Sequence, residues 1–158
     1  MIQKEINITY TEYDSLDQMK DADKDLALAA VKASENAYSP YSHFNVGAAV
    51  RLSNGEIVCG SNQENIAYPS GLCAERTAMF YASAKYPEES MKAIAIAGMQ
   101  NGIICESPAT PCGACRQVMA EYQTRGKHPM CVILVGAKKI WKFQKVDDIL
   151  PLIFDSLK

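Results

Sequence analysis

The sequence lacks a charge excess of either sign, a hydrophobic run long enough to span a membrane, and any internal repeat. Its sixteen basic and eighteen acidic residues, with a pI of about 5.7, give no excess of positive charge that would bind nucleic acid. The start, MIQKEINITY, has neither the charged beginning nor the apolar stretch of a secretory signal peptide. We therefore expect a cytoplasmic protein whose partners are neither nucleic acid nor a membrane.

The sequence also lacks a linker or a low-complexity segment that would separate two domains. Its 158 residues are enough for one domain with a hydrophobic core, and 48% hydrophobic with 22% charged residues is typical of a soluble globular protein. We expect residues 1–20 to form a polar N-terminal extension and residues 21–158 to form a single domain.

Local patterns predict helices alternating with strands. Apolar residues at helical spacing indicate a helix over 21–38, which Ser39-Pro40 ends. Asn54-Gly55 lies between two runs of strand character, so 44–62 are predicted to form a β-hairpin in which both turn residues take positive φ.

The remaining elements follow from apolar runs and helix-start signals. Helices are predicted over 72–85 and 111–124, buried strands over 91–99 and 130–137, a short strand over 141–143 and a helical turn after Asp147. This order predicts an α/β protein, a three-layer α/β/α sandwich around a mixed, roughly five-stranded sheet.

Six cysteines are unusual enough to need a reason in a reducing compartment, where they serve more often as metal ligands, reactive groups or buried hydrophobes than in disulfides. Cys112 and Cys115 open the helix of TPCGACRQVMAEY, with Thr110 as its predicted cap and Pro111 at its first position. Their spacing places both sulfurs on one helix face.

Cys73 begins another helix, in YPSGLCAERTAMFYASA. The partial positive charge of a helix N-terminus lowers the pKa of a thiol and favours the thiolate that binds metal. Cys73, Cys112 and Cys115 therefore make a plausible set of three zinc ligands. Three ligands with a fourth position open to water are the pattern of a catalytic zinc site.

Glu75 and Arg76 share the first helical turn with Cys73. Near a helix end, Glu75 can face a water molecule at the metal, take its proton and pass that proton to a substrate. Three thiolates on Zn²⁺ leave a net charge of −1, which Arg76 can offset by donating to the sulfurs.

Two other interpretations of the cysteines stay open at this point. A C-x-x-C that opens a helix after a buried strand also describes a thioredoxin-like redox site, although a dithiol needs neither Cys73 nor Glu75. A structural Cys₄ zinc site would need Cys59, Cys105 or Cys131 as a fourth ligand. Of these, Cys59 and Cys131 fall in predicted strands, where a buried hydrophobe is the simpler interpretation.

The motifs YSPYSHFNVGAAV, NQENIAYPSGLCAER, TPCGACRQV and ILPLIF, spread over 38–154, resemble those of the zinc-dependent cytidine deaminases of the small homotetrameric type. Cysteine at position 73, where other relatives often have histidine, favours the tetrameric type. The resemblance implies one Zn²⁺ per subunit on Cys73, Cys112 and Cys115. It also implies that Glu75 protonates the cytosine ring at N3 and then assists the departure of ammonia.

The resemblance further implies that Asn62 and Glu64 hold the ribose hydroxyls, which agrees with an amide and a carboxylate at i and i+2 of a strand end. A carboxylate there disfavours a 3′-phosphate, so free nucleosides are the expected substrates. Further implied contacts are Phe44 on the cytosine ring, the N–H of Ala74 on the base, and Tyr68 and Phe154 near a neighbouring subunit's site.

The function implied is hydrolytic deamination of cytidine and 2′-deoxycytidine in pyrimidine salvage, by a cytoplasmic homotetramer. One alternative is a deaminase for a related cytosine nucleoside, such as an antibiotic. Another, of a different class, is a C-x-x-C thiol redox protein. A nucleic-acid editing protein is disfavoured by the acidic pI and by Cys73.

Overall fold

One mixed β-sheet runs through the computed structural model, which describes residues 1–154. Its strands are β1 (Thr11–Tyr13), β2 (Phe44–Leu52), β3 (Ile57–Ser61), β4 (Met91–Gln100), β5 (Ile103–Ile104), β6 (Cys131–Val135) and β7 (Ile140–Phe143). They lie in the order β1-β7-β6-β4-β2-β3, with the short β5 paired to β4. The pair β4 and β6 runs parallel, and the other pairs are antiparallel.

Three helices cover the two faces of this sheet: α1 (Asp21–Ser34), α2 (Ala74–Lys85) and α3 (Gly113–Gly126). The buried side chains of α1 pack with one set of strand residues, and those of α2 and α3 pack with the set that faces the other way. This arrangement confirms the predicted three-layer α/β/α sandwich. None of the helices within 1–154 is long and apolar enough to cross a membrane.

Two glycines let the helices approach the hairpin closely. A Cβ atom on Gly47 of β2 would lie 2.1 Å from the carbonyl oxygen of Ala30 in α1. One on Gly60 of β3 would lie 2.5 Å from the backbone nitrogen of Ala78 in α2. Because real Cβ atoms do not come so near to backbone, glycine at these positions sets how deeply both helices sit on the sheet.

The hairpin turn differs from the predicted one. Gly55 has a φ of 88°, but Asn54 is not among the described residues with positive φ. The backbone N–H of Leu52 donates to the carbonyl of Glu56 at 2.9 Å, and the Asn54 side chain accepts from the N–H of Glu56 at 3.0 Å. Because the Asn54 side chain completes the longer loop, only Gly55 needs the left-handed conformation.

The helices that carry the cysteines begin later than predicted. Cys73 and Cys112 occupy the cap positions of α2 and α3 in extended backbone conformations, with ψ of 151° and 165°. Thr110 is therefore not the cap, and Pro111 is not the first helical residue. The sulfurs of both cap cysteines therefore lie at the N-terminal ends of the helices.

The predicted first helix also ends early, at Ser34 rather than Tyr38. The carbonyls of Lys32, Ala33 and Ser34 accept hydrogen bonds from backbone N–H groups three residues further on, which tighten the chain into turns. The N–H of Tyr38 then donates to the carbonyl of Asn62 at 3.0 Å. This hydrogen bond holds the segment after α1 beside the end of β3.

The N-terminal segment supplies β1, a strand that its polar sequence did not suggest, and together with the short β5 it gives the described sheet seven strands rather than about five. Thr11–Tyr13 pairs with β7, whose edge would otherwise offer unpaired backbone groups. The Tyr10 ring lies 5.6 Å from that of Trp141, whose Nε1 donates to Glu12 at 2.7 Å. Residues 155–158, the end of the expected domain, lie outside the described residues.

Candidate active site

Three cysteine sulfurs meet where the N-termini of α2 and α3 come together. The sulfurs of Cys73, Cys112 and Cys115 all lie within 4.8 Å of one another. Cys73 is half-buried, Cys112 is exposed and Cys115 is buried. Sulfurs bound about 2.3 Å from one zinc ion cannot be more than about 4.6 Å apart, so the cluster is close to the spacing that zinc requires.

The cluster also has the charge distribution of a metal site. Hydrogen bonds from the Cys115 thiol and from Arg76 lower the pKa of Cys73 to about 5. The same contact with Cys73, together with burial, raises the pKa of Cys115. Three sulfurs this close together share few protons. A metal ion can replace those protons, because metal ligands bind as thiolates. The donor set therefore fits a zinc ion.

Arg76 stands beside the cluster, as its sequence position predicted. Its Nη2 donates to the Cys73 sulfur at 3.7 Å. Its Nε is buried and has no hydrogen-bond partner within residues 1–154. The guanidinium group is thus placed to offset the negative charge of thiolates at this end of α2.

Glu75 is buried in the first turn of α2, with 4% of its surface exposed. Burial raises the pKa of its carboxyl group, and the negative charge of the nearby Cys73 adds to the rise. Within residues 1–154 this carboxyl group has no ion-pair partner, which is unusual, since burying a charge costs free energy unless it is paired. Such groups are characteristic of functional sites.

The other cysteines stay outside the cluster within the described chain. Cys59 is exposed, so the interpretation of Cys59 as a buried hydrophobe is wrong. Its sulfur lies 3.9 Å from the Ala29 carbonyl of α1. Cys131 lies in β6, where burial raises its pKa to about 11. With Cys105 also separate, the cluster keeps three protein ligands, and the Cys₄ alternative has no fourth sulfur in the described residues.

A cavity of about 530 Å³ opens beside the cluster. Several residues singled out from the sequence line it, namely Asn62, Glu64, Tyr68, Cys73 and Arg76. Tyr41 and Ser42 line it too, although neither was predicted as a site residue. A tyrosine and a serine in a loop before a strand carry no local signal of a site.

The Asn62 side chain is fixed against β2. Its Oδ1 accepts from the N–H of Val46 at 2.7 Å, and its Nδ2 donates to the carbonyl of Phe44 at 2.9 Å. One amide hydrogen is then left for another partner. Asn62 therefore presents a rigid donor at the cavity wall.

Glu64 is held by the loop that precedes β2. Its carboxylate accepts from the backbone N–H of Tyr41 at 2.8 Å, from that of Ser42 at 3.2 Å, and from the Ser42 hydroxyl. These hydrogen bonds, with the Ser42 hydroxyl foremost, hold the pKa of Glu64 below its usual value. A charged carboxylate thus faces the cavity at neutral pH.

Six predicted site residues lie outside the lining of this cavity: Glu75, Cys112 and Cys115, described above, and Phe44, Ala74 and Phe154. Phe44 is half-buried at the start of β2, and its ring packs over Gly98, where a Cβ atom would lie 2.9 Å from the ring. Ala74 is the buried first residue of α2, where backbone N–H groups have no carbonyl partner within the helix. Phe154 is 69% exposed, and its carbonyl accepts from Gln117 at 2.7 Å.

The family described as the cytidine and deoxycytidylate deaminase zinc-binding region matches residues 20–131. The cytidine deaminase of Halalkalibacterium halodurans is 48% identical over 92 residues, which span 58% of this chain and 65% of that relative. A probable cytidine deaminase of Dictyostelium discoideum is 42% identical over 95 residues, 60% of each chain. The chain thus spans just under two thirds of the length of these curated relatives.

Solved structures extend the similarity further. A crystal structure of cytidine deaminase from Burkholderia pseudomallei is 40% identical with a TM-score of 0.71, and the match covers 82% of this chain and 97% of that one. The cytidine deaminase of Mycobacterium tuberculosis is 30% identical with a TM-score of 0.65, covering 84% and 96%. The shared fold therefore includes nearly all of those chains, while part of this chain lies beyond it.

Proposed function

The chain belongs to the family of the cytidine and deoxycytidylate deaminase zinc-binding region, and from this premise we propose that it deaminates cytidine and 2′-deoxycytidine by hydrolysis. Each turnover consumes one water molecule and yields uridine or 2′-deoxyuridine with ammonia. The observation that carries the proposal is the cluster of three sulfurs within 4.8 Å, next to the buried carboxyl group of Glu75.

Cys73, Cys112 and Cys115 hold one zinc ion per subunit in this proposal. When bound, the ion supplies the Lewis acidity that makes water a nucleophile near neutral pH. Arg76 and the N-terminal ends of α2 and α3 offset the negative charge of the three thiolates.

Glu75 moves the protons of the reaction. Its carboxylate takes a proton from the attacking water and gives it to N3 of the cytosine ring, while the water oxygen bonds to C4. It then carries the second proton of that water to the amino group at C4, which leaves as ammonia. Its burial supports this role, because a carboxylate shielded from bulk solvent exchanges its proton with that solvent less readily.

Phe44, Asn62, Glu64 and Ala74 bind the nucleoside. The Phe44 ring packs on the base and the N–H of Ala74 donates to it, while Asn62 and Glu64 contact the ribose hydroxyls. The cavity of about 530 Å³ supports a small-molecule substrate, since ligand pockets measure about 300–1,000 Å³. The half-buried Glu64 carboxylate at the cavity repels a phosphate, which favours free nucleosides.

We further propose that four copies of the chain form a homotetramer in the cytoplasm and serve pyrimidine salvage, with residues 21–158 as one catalytic domain and 1–20 as an extension that adds β1 to its sheet. Large apolar side chains exposed near the cavity or the C-terminus support a subunit contact, namely Ile66 (82%), Tyr68 (74%), Leu152 (81%) and Phe154 (69%). Tyr68 and Phe154 then approach a neighbouring subunit's site. Thiol ligands favour a reducing compartment.

The test follows the cytosine absorbance band of cytidine in the presence of the purified protein. The wild type is expected to remove this band. Glu75→Gln keeps the size of the side chain but cannot carry protons, so its rate is expected to fall by at least about a hundredfold. Zinc content and melting temperature should stay at wild-type values.

Each contrary result has a distinct meaning. A near-wild-type rate in Glu75→Gln would refute the proton-transfer role. A wild type that is folded and contains zinc but does not convert cytidine would indicate that the substrate is a related cytosine nucleoside, such as an antibiotic. A wild type with neither zinc nor turnover would favour a thiol redox function for Cys112 and Cys115.

A further inference from the structure

The loop between α1 and β2 is a tight turn built around Ser42. The N–H of His43 donates to the carbonyl of Ser39 at 3.0 Å, and His43 has a left-handed backbone with a φ of 54°. The turn is also tied to the segment after β3, because the N–H of Glu64 donates to the carbonyl of Tyr38 at 2.8 Å. These backbone hydrogen bonds hold Ser42 next to Glu64.

The Ser42 hydroxyl links two residues that we assign to nucleoside binding. Its oxygen accepts from the backbone N–H of Phe44 at 3.1 Å, and its hydrogen is donated to Oε1 of Glu64. Because the N–H of Phe44 occupies an acceptor position of the hydroxyl oxygen, the hydroxyl hydrogen is directed towards the carboxylate. Ser42 thus holds Oε1, while the N–H groups of Tyr41 and Ser42 hold Oε2.

These contacts leave the Glu64 carboxylate little freedom. A carboxylate has about four acceptor positions, and the chain occupies three of them at Glu64. Without the Ser42 hydroxyl, Oε1 would have no partner within the described chain, and the carboxylate would be held only at Oε2. The remaining acceptor position would then no longer point in a single direction.

We propose that Ser42 is a positioning residue for the sugar, whose hydroxyl group orients the Glu64 carboxylate to accept a hydrogen bond from a ribose hydroxyl. This inference rests on the proposed function. It requires no direct contact between Ser42 and the nucleoside.

The test compares cytidine with 2′,3′-dideoxycytidine, which lacks both ribose hydroxyls. Ser42→Ala is expected to raise KM for cytidine about tenfold, while kcat stays within about twofold, because a hydrogen bond to a charged group is lost before the chemical step. KM for 2′,3′-dideoxycytidine should remain at the wild-type value. Ser42→Thr retains the hydroxyl and should restore KM for cytidine.

Ser39→Ala is the matched control. Ser39 lies in the same turn and its hydroxyl donates to Asn45, but it does not contact Glu64. This variant should leave both KM values unchanged. Melting temperatures of all variants would show that they are folded.

An unchanged KM for cytidine in Ser42→Ala would overturn the inference. So would an equal rise of KM for both nucleosides, because that would indicate general damage to the cavity. If the wild type binds cytidine in a calorimeter without turning it over, the proposed function fails, and Kd replaces KM in the same comparison. A wild type that neither binds nor converts cytidine would overturn both.

Discussion

At the scale of single residues, position in the fold separates cysteines that look alike in the sequence. Cys112 belongs to the three-sulfur cluster at the N-termini of α2 and α3, whereas Cys59 is exposed on the edge strand β3. Helix N-termini and Arg76 stabilise thiolates in the cluster. Within the described residues Cys59 belongs to no such cluster, so we expect Cys112 but not Cys59 to bind metal.

Replacing Cys112 by alanine is expected to remove zinc from the protein. Two thiolates are left, and they cannot complete the set of three ligands that a catalytic zinc site uses. Metal analysis of the purified variant should find well under one zinc ion per chain. Cys59→Ala should keep the wild-type zinc content, and equal zinc in both variants would contradict the assigned ligand set.

At the scale of elements, one carboxylate joins α1 to two strands of the sheet. Asp23 accepts from Arg51 of β2 at 3.0 Å and from Lys142 of β7, and it is 6% exposed. Burial alone would raise its pKa, but the hydrogen bonds from Lys142 and Arg51 outweigh burial and hold the pKa below its usual value. The ion cluster thus fixes α1 across the sheet.

Because folding lowers the pKa of Asp23, its stabilising effect is complete above the unfolded-state pKa of about 3.9 and is lost as the pH falls through the folded-state value. Asp23→Asn is expected to lower the free energy of unfolding at pH 7 by about 1–2 kcal/mol, since the cluster still meets solvent on one side. Urea unfolding should show the difference shrinking below about pH 4.

Asp17→Asn is the control for this measurement. Asp17 pairs with Lys24 at the surface, with 85% of its side chain exposed, so its removal should have no measurable effect at pH 7. A difference between Asp23→Asn and the wild type that stays constant from pH 7 to pH 3 would show that the charge of Asp23 is not what stabilises the fold.

At the scale of the whole molecule, the described chain leaves large apolar side chains in solvent near the cavity and the C-terminus. Tyr68 and Phe154 are 74% and 69% exposed, and association of subunits would remove such surface from water. Most soluble oligomers are closed, symmetric assemblies of identical chains. The proposed homotetramer would cover these side chains.

Light scattering on the purified protein is expected to give about 69 kDa, the mass of four 17.3 kDa chains. Replacing Phe154 by serine should shift the mass towards smaller species if this side chain lies in a subunit contact. A wild-type mass near 17.3 kDa at micromolar concentration would contradict the tetramer.

The sequence by itself determined the elements and part of the metal site. Apolar periodicity predicted the helices, the hairpin and the buried strands, because these patterns arise from neighbours along the chain. The spacing of Cys112 and Cys115 predicted two sulfurs close together, and they do meet, although Cys112 is the extended cap of α3 and not on its helical face. The errors of the sequence-based prediction include the helix caps at Cys73 and Cys112, the conformation of Asn54, the strand β1 and the burial of Cys59.

Only the tertiary structure decided which distant residues meet. The close approach of helices at Gly47 and Gly60 brings α1 and α2 onto the hairpin, and the sulfur of Cys73 lies within 4.8 Å of those in α3. The contact between Ser42 and Glu64 depends on the same packing. Such contacts join residues far apart in the chain, so no local pattern encodes them, and they form only when the layers pack against one another.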